Sequence, residues 1–91
     1  MSVVQVAGWH IEIEFEEDDV HTKAAALLRL PDGTELRAHG RAKRNPVDPA
    51  QARIGEEIAG ARALSALMHE LLDKAAGEIE AVTHRPAHLT G

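Results

Sequence analysis

Two oppositely charged runs hold most of the side chains in this sequence that could perform chemistry. The acidic run contains no basic residue and comprises Glu12, Glu14, Glu16, Glu17, Asp18 and Asp19. An acid–base pair needs one carboxyl in an apolar pocket so that the two pKa values differ, whereas here three carboxylates alternate along an outward strand face and three lie in a loop. No glycine lies between Gly8 and Gly33, so the run lacks the glycine that a cation-binding loop needs for its sharp turn. The run is therefore interpreted as a solvated acidic face.

The basic run is the stronger candidate for binding. It comprises Arg37, Arg41, Lys43, Arg44 and Arg53, with Asp48 as the only acid in the interval. Alternation places three of these residues on one strand face, and Lys23 lies opposite Arg41 in the register derived below. This basic strip is predicted to contact phosphates; the alternative is that it pairs with the acidic strand, within a subunit or across a dimer. No aromatic side chain interleaves the strip, so base stacking is not predicted.

Other catalytic and metal sites are not supported. Cysteine is absent, Ser65 lies on a helix without a nucleophile elbow, and Pro86 prevents His84 and His88 from sharing one helical face. His10, His21 and His39 are interpreted as surface or dimer-contact residues. We expect no enzymatic activity, catalytic residue, cofactor, metal or small-molecule substrate.

Composition favours one small domain with an ordered core of about residues 8–87. Acidic residues outnumber basic ones, 15 to 10, and much of the 44% hydrophobic fraction is alanine, with Trp9 and Phe15 the only aromatic residues. A core this poor in large side chains favours a homodimer. The net charge of −5 argues against a nonspecific nucleic-acid coat. Neither a membrane span nor a signal peptide is predicted, so we expect a cytoplasmic protein.

Periodicity predicts three strands followed by helices. Trp9 to Glu16 alternates as a half-buried strand, and Pro31-Asp32-Gly33 connects Val20–Leu30 to Thr34–Lys43 as a three-residue hairpin loop. That loop pairs apolar with apolar residues and opposite charges with each other: Arg29 with Glu35, Leu28 with Leu36, Ala26 with Ala38, and Ala24 with Gly40. Ala25 and Leu27 then lie on the outer face, where we expect a dimer interface.

Prolines in Asn45-Pro46-Val47-Asp48-Pro49 are predicted to end the sheet. From about Ala52 a long helix is expected, in which Gly55 and Gly60 permit close approach to the sheet. Its predicted buried stripe is Ile54, Ile58, Ala61, Leu64, Leu67 or Met68, and Leu71 or Leu72. A shorter helix over Ala75–Thr83 follows, with Gly77 as the joint and Ile79 and Val82 buried. The prediction is an α+β fold, β-β-β-α-α, with the helices covering one face of a three-stranded antiparallel sheet.

An ordered set of motifs resembles a small actinobacterial domain family of unknown function that includes dormancy-associated mycobacterial proteins. The motifs extend from Trp9 to Leu89 and include Thr22-Lys23-Ala24, Gly40-Arg41-Ala42, Ile54-Gly55-Glu56-Glu57 and Ile79-Glu80-Ala81-Val82-Thr83-His84-Arg85-Pro86. The resemblance implies a fold like that of double-stranded-RNA-binding domains, pairing as dimers, and kinship with ribosome hibernation factors. It supplies no catalytic or binding residues. We therefore expect a stress- or dormancy-associated protein that binds the ribosome or structured RNA; the alternative is a homodimeric interaction or structural module with no nucleic-acid role.

Overall fold

The computed structural model describes residues 3–44 and 52–89. Strands β1 (His10–Glu17), β2 (His21–Arg29) and β3 (Glu35–Lys43) form one antiparallel sheet in the order β1-β2-β3. Helix α1 (Ala52–Thr83) packs mainly on β3 and β2. The predicted α+β class is confirmed. The segment Asn45–Pro49, predicted to end the sheet, lies outside the described residues. The described residues include no helix with the length and apolar character of a membrane span.

The β2–β3 hairpin has the predicted three-residue loop. Arg29 lies opposite Glu35, and the register continues through Ala24 opposite Gly40. The Gly33 amide donates to the Leu30 carbonyl at 3.0 Å, and Gly33 has a φ of 90°, a conformation that glycine adopts without strain. The Asp32 carboxylate accepts a hydrogen bond from the Thr34 amide at 2.9 Å. Turn chemistry thus sets the register, as predicted.

Small side chains dominate the interface between α1 and the sheet. The buried apolar residues are Ala24, Ala26, Leu28, Ala38, Ala42, Ala59, Ala63 and Leu67. A methyl group on Gly40 would overlap the Ala59 carbonyl oxygen and the Ala63 amide nitrogen. The helix backbone therefore rests almost directly on β3, and alanine and glycine are the residues that fit between the two layers.

This close approach makes the predicted helix stripe wrong in most positions. Of its members, Leu67 is buried, whereas Ile54, Ile58, Leu64 and Met68 are exposed. Larger side chains would hold the helix farther from Gly40, so α1 turns its smallest face toward the sheet. As expected, Gly55 allows the approach, since a methyl group there would overlap the Thr22 hydroxyl. A methyl group on Gly60 would make only an ordinary contact with the Phe15 ring, at 3.5 Å.

The predicted short C-terminal helix is also wrong, because α1 runs without interruption through Gly77. Lys74 forms ion pairs with Glu78, one turn along and beyond Gly77, and with Asp32 in the hairpin loop. These contacts support the helix on both sides of Gly77, and one glycine costs a helix only about 1 kcal/mol relative to alanine. Ile79 and Val82 are exposed rather than buried. The helix ends at Thr83, and the next residue, His84, has a left-handed φ of 58°.

Strand β1 extends beyond the cover of the helix. Ile13 packs against the core, but Trp9, Ile11 and Phe15 are exposed although the last two lie opposite buried β2 residues. The helix lies over the other two strands and touches β1 little. One edge of the sheet therefore presents uncovered apolar side chains on the same side as α1.

Candidate nucleic-acid interface

The face of the sheet turned away from α1, called the outer face, separates its charges by strand. Glu12, Glu14 and Glu16 alternate on β1, and Arg37, His39, Arg41 and Lys43 alternate on β3. Strand β2 lies between them, so the acidic and basic strands are not direct neighbours. Because side chains alternate along a strand, this separation follows from the sequence once the register is known.

The end of the outer face near the hairpin loop is neutralised within the chain. Arg29 lies 3.7 Å from a Glu12 carboxylate oxygen and 3.8 Å from one of Glu35, and Arg37 lies 3.3 Å from the same Glu35 oxygen. The four side chains are between 45% and 67% exposed, so these ion pairs contribute little stability. They nevertheless neutralise Arg37, which makes this residue a poor phosphate ligand.

The opposite end of the outer face keeps its positive charge. Lys23 lies directly opposite Arg41, and Lys43 is two residues further along β3 on the same face. We call Lys23, Arg41 and Lys43 the basic corner. All three residues are exposed, and within residues 3–44 and 52–89 none has a carboxylate oxygen within 4.0 Å. Glu16 lies opposite Lys23 in the register without forming such a pair. The three cations of the basic corner are therefore exposed and not engaged in an ion pair with any described residue, although Lys23 lines a shallow surface depression together with Glu16, Glu17 and Asp18.

The remaining two basic candidates lie elsewhere. Arg44 is half-buried, and its amide donates to the Val20 carbonyl at 2.7 Å while its Nε donates to the Asp19 carbonyl at 3.1 Å. It thus ties the end of β3 to the β1–β2 turn. Arg53 lies in the first turn of α1, 3.8 Å from Glu57. The predicted set therefore divides into the three residues of the basic corner and three residues with contacts inside the chain, Arg37, Arg44 and Arg53.

Sequence reasoning missed Arg62. Its guanidinium donates to the Arg41 carbonyl oxygen at 2.6 Å, from α1 across to β3. No carboxylate oxygen of the described residues lies within 4.0 Å of it, so it adds positive charge at the strand edge beside the basic corner. No local signal could identify it, because the contact depends on how the helix crosses β3.

One carboxylate of the acidic run accepts hydrogen bonds from the backbone. The Asp18 carboxylate accepts hydrogen bonds from the His21 amide at 2.6 Å and the Val20 amide at 2.8 Å. These bonds, the one from His21 foremost, lower the pKa of Asp18, so its carboxylate stabilises the β1–β2 turn and is unsuited to general-base chemistry.

In the described parts of the chain, no three His, Asp or Glu side chains converge as a metal ion requires.

The two expected dimer-interface residues lie in the middle of the outer face. Ala25 is exposed between Glu14 and His39, and Leu27 is half-buried between Glu12 and Arg37. Their apolar surface is thus narrow and bordered by charge on both sides.

Comparison with known proteins gives a consistent set of relatives. A family model described as Rv2632c-like matches residues 7–88. Uncharacterized protein Mb1767 of Mycobacterium bovis is 42% identical over 81 residues, which cover 89% of this chain and 85% of that protein. Uncharacterized protein Rv2632c of Mycobacterium tuberculosis is 41% identical over 76 residues, covering 84% and 81%. The crystal structure of Rv2632c superimposes with a TM-score of 0.82 at 38% identity, covering 93% of this chain and all of that one.

Proposed function

This chain belongs to the Rv2632c-like family, and on that premise we propose that it is a non-enzymatic cytoplasmic protein that binds structured RNA, with the ribosome as its target. The observation that carries the proposal is the basic corner. Lys23, Arg41 and Lys43 are exposed together, and none of them has a carboxylate oxygen of the described residues within 4.0 Å, in a chain whose net charge is −5.

The chemistry of the basic corner suits phosphate contacts rather than base recognition. Residues directly opposite on antiparallel strands have Cβ atoms about 5 Å apart, and same-face neighbours along a strand are about 6.6 Å apart. Three cations at these spacings, with Arg62 at the strand edge, form a compact positive surface. Neither Trp9 nor Phe15 lies on the outer face, so recognition relies on backbone charge and duplex shape.

The role in stress or dormancy rests on the family resemblance. The resemblance likens the family to double-stranded-RNA-binding domains and to ribosome hibernation factors. A three-stranded sheet with a helix on one face supports this likeness, although no helix precedes β1 in residues 3–9. Glu56 and Glu57 near the start of α1 are unsuited to phosphate. The proposed RNA surface is therefore the basic corner rather than the N-terminal end of the helix.

A second candidate function is a homodimeric interaction module without a nucleic-acid role. It is favoured by the separation of acidic β1 from basic β3 on the same face, because a second copy in the opposite orientation would oppose unlike charges. In that case the basic corner would meet Glu14 and Glu16 of another chain instead of phosphate.

A charge-removal experiment distinguishes the two functions. Lys23, Arg41 and Lys43 are changed together to Gln, and the matched control changes Arg29 and Arg37, the paired cations of the same face, to Gln. Binding to a 20-base-pair RNA duplex is measured by fluorescence anisotropy across salt concentrations, and binding to purified ribosomes by co-sedimentation. Circular dichroism confirms that both variants fold. Arg44 is not changed, because it holds the turn.

The wild-type protein should bind with a log affinity that falls against log salt with a slope of about −2 to −3, for three phosphate contacts. The basic-corner variant should lose most of this binding, and the control variant should keep it. Wild-type protein that binds neither RNA nor ribosomes, or equal losses in both variants, would overturn the proposal in favour of the interaction module.

A further inference from the structure

The surface of α1 that faces away from the sheet carries an unusual pattern of apolar residues. Spacings of three and four alternate without a break along nearly the whole helix, as in the core positions of a coiled coil. We call these positions the seam: Ile54, Ile58, Ala61, Ser65, Met68, Leu72, Ala75, Ile79 and Val82. None of the ionisable side chains of α1 lies on the seam, and Ser65 is its one polar residue.

Most of the seam is exposed in the folded chain, and Leu72 and Ala75 are half-buried. Ile58 and Ile79 are each 42% exposed, and Met68 is 39% exposed. A helix that covers a sheet ordinarily buries its larger apolar residues against that sheet, whereas α1 buries Ala59, Gly60, Ala63 and one large residue, Leu67, there and leaves its isoleucines outside. Contiguous exposed apolar surface of this kind marks an interaction site.

We propose that the seam binds the seam of a second copy of this chain, as an antiparallel two-helix coiled coil. A twofold axis that passes between Ala66 and Leu67 aligns each seam position from Ile54 to Ile79 in one chain with a seam position of the second copy. This alignment sets Leu72 against Ala61 of the second copy, Ile58 against Ala75 of the second copy, and Met68 against Ser65 of the second copy. Each of these layers pairs a large side chain with a small one, so the layers have similar volumes.

A parallel arrangement lacks this match in volume. In register, it would set Ala61, Ser65 and Ala75 against their own copies and leave gaps between the helices. The antiparallel seam from Ile54 to Ile79 is roughly 37 Å long. Next to it, Leu64 and Leu71 lie on opposite helices at the same level and extend the apolar contact.

Charges beside the seam are compatible with the pairing. The alignment brings Glu57 near Glu78 of the second copy, but Glu57 has Arg53 at 3.8 Å and Glu78 has Lys74 as its ion-pair partner in its own chain. The two sheets would lie on opposite sides of the paired helices. Each outer face, with its basic corner, would remain uncovered in the dimer.

Single substitutions to glutamate test the location of the interface. Met68→Glu places a charge in the seam, Ala81→Glu makes the same kind of change at an exposed position of α1 off the seam, and Leu27→Glu tests the outer face of the sheet. Sedimentation equilibrium over a range of concentrations measures the dimer dissociation constant. Met68→Glu should raise this constant at least about tenfold, because a buried unpaired charge is costly; the other two variants should match the wild type.

Cysteine cross-linking tests the orientation, and the chain has no native cysteine to interfere. A mixture of Ile58→Cys and Ala75→Cys chains should form a disulfide-linked dimer on oxidation. Neither variant alone should do so, since its own two cysteines would be roughly 25 Å apart along the axis. A wild-type monomer at every concentration, a dimer unaffected by Met68→Glu, dissociation by Leu27→Glu instead, or cross-linking of either variant alone would overturn the proposal. Circular dichroism of Met68→Glu ensures that dissociation is not unfolding.

Discussion

The Nζ of Lys74, in the middle of α1, lies 3.0 Å from the Oδ2 of Asp32 at the tip of the β2–β3 hairpin. This ion pair connects the helix to a loop that is distant in sequence. Lys74 also pairs with Glu78, and these two carboxylates raise its pKa, Glu78 more than Asp32. The contact holds the C-terminal half of α1 in line with the sheet and helps to explain why the helix continues through Gly77.

The stability of the protein should fall in acid partly through Asp32. The hydroxyl and amide of Thr34, followed by Lys74, lower the pKa of Asp32 to about 2 from 3.8. A carboxyl with a lowered folded-state pKa adds stability above its unfolded pKa, and that stability is lost as the pH falls from about 4 toward 2. Asp32→Asn should therefore reduce the pH dependence of the free energy of unfolding in this window. Urea unfolding at pH 5, 4, 3 and 2.5 measures it.

The matched control for this experiment is Glu70→Gln, which removes an exposed carboxylate from α1. An Asp32→Asn variant with the same acid sensitivity as the wild type would contradict the assigned role.

Gly40→Ala should destabilise the protein by at least about 2 kcal/mol. The added methyl group would overlap backbone atoms of Ala59 and Ala63, which cannot rotate away as a side chain can. Urea unfolding followed by circular dichroism measures the loss. Gly8→Ala is the control, since nothing lies within 4 Å of a methyl group there. Equal stability of the two variants would show that the helix can shift from β3.

Gly77→Ala should stabilise the protein by about 0.5 to 1 kcal/mol. The helix is continuous at this position, a methyl group would meet nothing within 4 Å, and alanine is the better helix former. Thermal unfolding should show a higher midpoint. If Gly77 instead joined two helices, the same change would lower the midpoint, so the sign of the shift decides between the two structures.

Arg44→Gln should lower stability, whereas Lys43→Gln should weaken RNA binding, although the two residues are adjacent. Loss of the Arg44 hydrogen bond to Asp19 should lower the free energy of unfolding by about 1 kcal/mol. Lys43 is exposed, so its loss should leave stability unchanged and weaken RNA binding instead. Urea unfolding and RNA anisotropy, both performed on each variant, measure the two effects. A destabilised Lys43→Gln would contradict its placement in the basic corner.

Much of the sheet could be predicted because its determinants are local. The Pro31-Asp32-Gly33 loop sets the hairpin register, and a period of two then assigns every β2 and β3 side chain to a face. The placement of Lys23 opposite Arg41 followed from this reasoning alone. The sequence did not predict which cations remain without a carboxylate partner. The ion pair of Arg37 with Glu35 and the hydrogen bond of Arg44 to a backbone carbonyl depend on side-chain positions in space.

The sequence by itself determined the succession of three strands and a helix and the hairpin register, because each follows from spacing along the chain. Only the tertiary structure decided which side of α1 meets the sheet. The helix has two apolar sides, and periodicity selects the one with the larger side chains, Ile54, Ile58 and Met68. Contact with β3 instead requires small residues around Gly40, where the two backbones approach until residues such as Ala59 and Ala63 fit between them, and Leu67 is buried further along the helix. The requirement for small residues exists only where the helix packs on the strand, so it cannot be predicted from the sequence of either element alone.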